Sequence, residues 1–417
     1  MRILKTVFIV ILFCSCLTPA KINSAQNPET VQGIQFGGIH DDFPYGVITD
    51  AHDNIYIAGF TKSDLYQTSS GGKDVFLCKM DQNQTIIWSR QFGSEHDDEA
   101  KAVAVDAANN CYLTGFVTGP LDGTYSGGKD AFVCKFTESG AKSWLRLFGT
   151  EKDDEALSVT IDKTGFVYIS GITDTTLCEK HFGKKDFFIA KYDLDGKLIW
   201  KKQFGTPEDE LDCAITLNRE GHIFLVGLTT GDFAKPNAGI WDIVVVELNP
   251  SGEIIRKMQF GTSQHDMARG IGVDDEGFIY IGGSSGGDME ISQKGGGDAF
   301  LTKFDKNGKQ LWVRQFGTHT WDGIHALCFD KTGDDEKIIV SGCQRWKQCQ
   351  GFVRSYTKNG ELLACKEFGN DSLSSTCGQT LTINTAAEIF HIGGTNTNLF
   401  SKSAGGQDVY LVKLRME

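Results

Sequence analysis

The sequence predicts an all-β fold: a seven-bladed β-propeller of four-stranded antiparallel blades, closed by an N-terminal strand that completes the C-terminal blade. Three observations carry this. First, a Gln-Phe-Gly-like triplet followed by acidic residues recurs at a fixed interval. Its phenylalanines are Phe36, Phe92, Phe148, Phe204, Phe260 and Phe316, each 56 residues after the last, and Phe368, 52 residues further on. A constant period of this order marks a repeat architecture. Second, each repeat divides into four short apolar runs with no sustained helical period. Third, the two ends of the chain are complementary. The last copy carries a third strand, 408–414, and then stops at Glu417, while the first recognisable segment, 31–37, has the form of a fourth strand with nothing before it. Pairing the two closes a ring and removes its open sheet edges.

The copy from Glu99 to Phe148 shows the elements in order. Residues 101–106 alternate as a strand. Asp106-Ala-Ala-Asn-Asn110 is a turn, and 111–116 is an apolar second strand. A glycine-rich loop ends at Ser126-Gly-Gly-Lys-Asp130, and 131–136 forms the third strand. Thr137-Glu-Ser-Gly140 turns into the fourth, 142–148. Related turns recur as Asp162-Lys-Thr-Gly165, Asp193-Leu-Asp-Gly196, Asp274-Asp-Glu-Gly277 and Asp305-Lys-Asn-Gly308. The Asx side chain bonds the backbone ahead of it and glycine supplies a positive φ. None has the acidic ligand set of a calcium loop. The third strand is apolar on both faces, as in Val75-Phe76-Leu77-Cys78. A blade with a neighbour on each side requires this; a sheet with one solvated face does not.

The pattern Gly-Gly-x-Asp-x-Phe-x-x-Lys stands at Gly71–Lys79 and at Gly127–Lys135. It resembles the core of the bacterial seven-bladed β-propeller repeat family, the SBBP repeats, over roughly residues 31–417. The resemblance implies the propeller fold and an extracytoplasmic setting. It implies no reaction and no catalytic residues.

With 41 basic and 54 acidic residues the net charge is −13, which speaks against nucleic acid or an anionic membrane as partner. Residues 1–25 read as a secretory signal and short tether: Arg2 and Lys5 precede a short apolar run. Two processing routes are open. Cleavage after Ala25 releases a soluble protein. Alternatively, Phe13-Cys14-Ser15-Cys16 resembles a relaxed lipobox in which Cys16 carries lipid and forms the one membrane attachment. The propeller itself is assigned to residues 31–417, as a monomer. The remaining cysteines fit no zinc module, and no P-loop, HExxH or dinucleotide fingerprint is present, so no metal or cofactor is expected.

Candidate sites fall in two places. Six residues past each phenylalanine stand Asp42, Asp98, Asp154, Glu210, Asp266 and Asp322, with Ser374 in the seventh copy. Their loops lead into the inner strands, which predicts a carboxylate ring near the channel mouth with pKa values raised by like charges. Recurrence in six copies favours a structural role in bonding backbone N–H groups instead. A second repeated set, Asp74 and its equivalents with Arg90 and its equivalents, is read as structural, the two partnering one another. The other candidate lies where the repeat breaks. Fifteen residues separate Gly59 from Asp74, but only eight separate Gly342 from Gln350. The shortened loop carries Arg345, Trp346 and Lys347, and the loop entering the same blade carries Trp321. These four are the expected ligand-binding cluster, against the plainer reading that Trp346 fills the gap. Cys343 and Cys349 flank this loop and are expected to form a disulfide.

The function expected from this pattern is a binding or scaffold protein of the bacterial cell envelope, presenting propeller loops to a protein or glycan without catalysis. The alternative is a polysaccharide hydrolase or lyase with the channel-mouth carboxylates as acid and base.

Overall fold

The computed structural model describes residues 31–122, 125–290, 295–333, 335–344, 349–369 and 376–416. The signal segment with Cys16, and the loop residues Arg345, Trp346 and Lys347, lie outside the described residues. Among the described residues, twenty-eight strands form seven four-stranded antiparallel sheets. Blade one is Asp42–Thr49, Ile55–Thr61, Asp74–Met80 and Ile86–Phe92, from the channel outward. Blades two to six follow in chain order over 98–148, 154–204, 210–260, 266–316 and 323–368. Blade seven combines Thr376–Ile383, Ile389–Thr395 and Asp408–Leu414 with Val31–Phe36. The N-terminal strand runs antiparallel to the third strand, Phe36 opposite Val409 and Gln32 opposite Lys413, so the ring closes through its ends.

The second and third strands of blade one are buried along their whole length, because a neighbouring blade covers each face. The outer strand starts in solvent, with Ile86 and Ile87 exposed, and sinks toward Phe92. That phenylalanine of the repeated triplet reaches into the next blade. Phe92 packs on Phe132 and Phe136 with centroids 6.4 and 5.9 Å away, and Phe148 packs on Phe188 at 5.7 Å. The repeat therefore encodes the seams between blades as well as the blades.

The Asx turns form as the sequence implies. Asp162 Oδ1 accepts the N–H groups of Thr164 and Phe166, both at 2.9 Å, and Gly165 takes φ +89°. The Gly-Gly pair has a steric cause. A Cβ on Gly71 would stand 2.3 Å from the carbonyl carbon of Glu95 in the neighbouring loop, so only glycine lets the loops nest.

Every inner strand carries one β-bulge. The pairing with the second strand skips Tyr45, Lys101, Leu157, Asp212, Arg269, His325 and Gln379 in blades one to seven. A bulge kinks the strand and re-aims the skipped side chain.

Candidate functional site

The seven skipped residues meet in one place. All of them line a central cavity of about 460 Å³, together with Glu155 and residues adjoining the bulges. One side chain from each blade is thus aimed into the channel, and no two blades supply the same one. Asp212 reaches its place through a left-handed backbone conformation, φ +47°.

Apart from Leu157 the ring is polar, and its charged members are paired. Arg269 Nε donates to Asp212 Oδ2 at 2.5 Å across blades four and five. Lys101 donates to Glu99 and holds its Nζ 3.9 Å above the Tyr45 ring. Lys129 bonds Glu155 at 2.8 Å. His325 places Nδ1 2.8 Å from the Gly378 carbonyl, which can only accept, so this nitrogen carries the proton. Burial, followed by the Arg269 charge, lowers the His325 pKa to about 4 and keeps the ring neutral.

The six repeated acids are placed differently from a channel-mouth ring. Asp42, Asp98, Asp154, Glu210, Asp266 and Asp322 are buried to 1 % exposure or less. Each accepts the backbone N–H four residues earlier: Gly38 on Asp42 at 2.6 Å, Ser94 on Asp98, Thr150 on Asp154 at 2.6 Å, Thr206 on Glu210 at 2.8 Å, Thr262 on Asp266 at 2.5 Å and Thr318 on Asp322 at 2.7 Å. Hydroxyls one strand on, Thr61, Thr229 and Ser285, donate to Asp42, Glu210 and Asp266. Burial raises the pKa to about 6 for Asp42 and Asp98 and about 7 for Glu210, and raises those of Asp154 and Asp266, with a neighbouring acid adding less. In the seventh copy the equivalent position is Thr376, not Ser374. It starts the inner strand and meets Thr395 at 3.1 Å, nineteen residues on, as Thr61 meets Asp42.

The acid that opens each third strand also has a partner the sequence reading missed. Gln91, one residue before Phe92, donates to Asp74 at 2.9 Å, and its Oε1 accepts the N–H groups of Leu65 and Tyr66 at 3.1 Å. Gln203 and Gln259 repeat this on Asp186 and Asp242 at 2.7 and 2.9 Å. Arg90 does not serve Asp74. It faces the other way and donates to the Gly140 carbonyl of the next blade at 2.6 Å, beside Trp88, whose Nε1 donates to Glu138 O at 3.0 Å. The alternation of a strand separates them: Arg90 and Gln91 are adjacent, so they point to opposite faces.

Of the cluster expected at the sixth blade, Trp321 lies among the described residues, while Arg345, Trp346 and Lys347 lie outside them. Trp321 is half-buried on the loop before the inner strand, and its ring packs over Gly297 of blade five. Cys349, which precedes the third strand of blade six, meets the following seam: the Thr376 N–H of blade seven donates to its carbonyl at 2.8 Å. Cys343 and Cys349 are unbonded thiols. Cys343 stands opposite Gly351, which leaves Cys349 two residues off its partner position. A third thiol, Cys377, interacts with both.

Three kinds of comparison bear on this geometry. The family model for the SBBP beta-propeller repeat matches residues 258–288, the outer-strand end of blade four and the first two strands of blade five. An SBBP-type repeat thus stands within this seven-bladed β-propeller. Among curated proteins it is similar to the regulatory protein FlaEY of Caulobacter vibrioides, 24 % identical over 266 residues, and to the WD repeat-containing protein L264 of Acanthamoeba polyphaga mimivirus, 22 % identical over 262 residues. The matches take in 60 % and 49 % of this chain but only 26 % and 19 % of those proteins. Among solved structures the propeller superposes on the Neurospora crassa Pan2 WD40 domain with a TM-score of 0.54 at 9 % identity, covering 95 % of this chain and 98 % of that one. Sqt1 from Chaetomium thermophilum gives 0.50 at 10 % identity, covering 93 % and 100 %. At such identities the likeness is one of fold alone.

Proposed function

We propose that the propeller is a non-catalytic binding protein of the bacterial envelope that takes a protein or glycan on its channel face. One observation carries this reading. The scaffold positions repeat from blade to blade and satisfy one another, whereas the seven bulge residues that line the channel differ in every blade. Recognition needs such an asymmetric set of polar and aromatic groups on a rigid frame. Tyr45 with Lys101 above it, and Arg269 beside Asp212, offer a ring face, cations and a carboxylate within one cavity. The hydrolase alternative needs two carboxyl groups open to a sugar. The repeated acids are sealed by backbone bonds, and the channel carboxylates Glu155 and Asp212 are held by Lys129 and Arg269. Export belongs to the same proposal, with residues 1–25 as its signal and either Cys16 lipidated or cleavage after Ala25.

A glycan and peptide array screen of the mature protein tests the reading, with hits re-measured on Lys101→Ala and Arg269→Ala. The expected result is a ligand class whose binding falls at least about tenfold in these variants. Release of new reducing ends or unsaturated sugars from a polysaccharide would overturn it in favour of an enzyme. Sequencing of the mature N-terminus decides between the two processing routes.

A further inference from the structure

The seams between blades reuse the same three positions: the residue after the second-strand glycine, the residue before the third strand, and the second residue of the next inner strand. Between blades one and two these are Phe60, Lys73 and Glu99, with Lys73 bonded to Glu99 and its Nζ 4.4 Å above the Phe60 ring. Between blades two and three they are Phe116, Lys129 and Glu155, with the same bond at 2.8 Å and the same stacking at 4.4 Å. The register carries over to blades six and seven. Gly342 pairs with Phe352 as Gly59 pairs with Phe76, and Cys349 O accepts the Thr376 N–H as Lys73 O accepts that of Asp98. There the three positions are Cys343, Cys349 and Cys377. Three thiols replace a lysine, a glutamate and a phenyl ring.

We propose that Cys343, Cys349 and Cys377, with His325, form a closed tetrahedral site for a thiophilic divalent cation, zinc foremost, which clamps blade seven to blade six. Ligand atoms of His325, Cys343 and Cys377 already lie within 4.8 Å of one another, and Cys349 interacts with both other thiols. The imidazole is set for the task. Its Nδ1 proton is engaged by the Gly378 carbonyl, which leaves the Nε2 lone pair free to coordinate, the outer bond that orients histidines in metal sites. Three thiolates and one imidazole fill a tetrahedral zinc sphere and suit soft metals over magnesium or calcium. Binding sends the thiol protons to solvent. The bound set carries one net negative charge, and Arg269 lies close enough to Cys377 to feel its charge. With four protein ligands no position is open to a substrate, so the cation staples the seam whose loop has been shortened.

The full chain, reduced and freed of metal, is titrated with cobalt(II). The expected result is about one cobalt per chain, with the near-ultraviolet thiolate charge-transfer band and intense visible bands of tetrahedral coordination, both abolished by zinc. Cys377→Ser and His325→Ala are expected to weaken cobalt binding at least about tenfold, since even outer partners of a ligand are worth that much. Cys178→Ser, a half-buried thiol in blade three, leaves it unchanged. Should Cys377→Ser fail to fold, His325→Ala decides, because His325 borders the open channel. The proposal is overturned if the folded, reduced protein takes up no stoichiometric cobalt, or if the tetrahedral spectrum survives both substitutions. It is also overturned if natively purified protein is metal-free and carries a Cys343–Cys349 disulfide.

Discussion

Gln35 donates to the Asp408 carboxylate at 2.8 Å, although 373 residues separate them. Within blades one, three and four the same bond joins residues seventeen apart, such as Gln91 and Asp74. The closing blade therefore uses the same fixture as the continuous ones. Gln35 Oε1 also accepts the Leu399 N–H at 2.9 Å, so one amide ties the N-terminal strand to the third strand and to the loop before it.

Gln35→Ala should lower stability by about 1–3 kcal/mol, because it removes a hydrogen bond to a buried carboxylate, which keeps only the Ala404 N–H, and the amide oxygen that holds the loop. Denaturant titration reads this as a shifted midpoint at constant slope. Deleting residues 26–37 should do far more. It exposes the edge of Asp408–Leu414 and should abolish the cooperative transition or drive aggregation. A truncated protein that melts at the full-length temperature would refute closure through the ends.

Stability should fall as pH rises from about 5 to 8. Glu210 has its pKa raised to about 7, and Asp42 and Asp98 to about 6, each first by burial. A carboxyl whose folded pKa exceeds its unfolded one binds protons more tightly in the fold. Its contribution is fully present below the unfolded value, near 4, and is lost as pH passes the folded value. Ionising each such acid costs on the order of 1–3 kcal/mol. Glu210→Gln should flatten the profile and raise the melting temperature at pH 8 relative to the parent, with little change at pH 5. A parent profile that rises from pH 5 to 8 would exclude the effect.

The blades were legible in the sequence because their determinants repeat. Phe92 and its copies, the Asx turns and the two-faced third strands recur at one spacing, and recurrence survives the absence of an alignment. The channel ring was not legible for the converse reason. Tyr45, Lys101, Leu157, Asp212, Arg269, His325 and Gln379 share a position without sharing a chemistry, and a bulge is invisible to a period-two pattern. In blade four the bulge also comes one residue earlier, which hides Asp212 from any fixed offset. Gln91 was passed over because it sits between two conspicuous residues, Arg90 and Phe92. The three-cysteine seam would have emerged from laying Cys343, Cys349 and Cys377 against Phe60, Lys73 and Glu99; sorting them by spacing alone, as for a zinc module, concealed it.

The outer-strand arginines should matter to stability through the next blade, not through their own. Arg90, Arg146 and Arg314 donate Nε to Gly140, Gly196 and Gly360 at 2.6, 2.9 and 2.9 Å. Bonds from a charged donor contribute about 1.5–3 kcal/mol. Arg146→Met keeps the stem and removes the donors, so it should destabilise by roughly the lower part of that range, given its half-exposed setting. If Arg146→Met and Asp130→Asn prove strongly coupled in a double-mutant cycle, the arginine serves its own blade after all.

The channel ring and the sixth-blade loops make opposite predictions for ligand binding. The pair between Arg269 and Asp212 keeps much of its exposure, 48 % and 28 % of the side chains, so its breakage should cost the fold no more than about 1 kcal/mol, and less in high salt. Arg269→Ala should therefore melt near the parent while losing ligand at least about tenfold. Trp321 covers the backbone of Gly297, with ring carbons where a Cβ would stand 2.6 Å away. Trp321→Ala should accordingly lower the melting temperature with affinity intact. Measuring both quantities on both variants separates the sites. If Trp321→Ala loses the ligand and Arg269→Ala does not, recognition belongs to the sixth-blade loops and the ring is a polar lining of the channel.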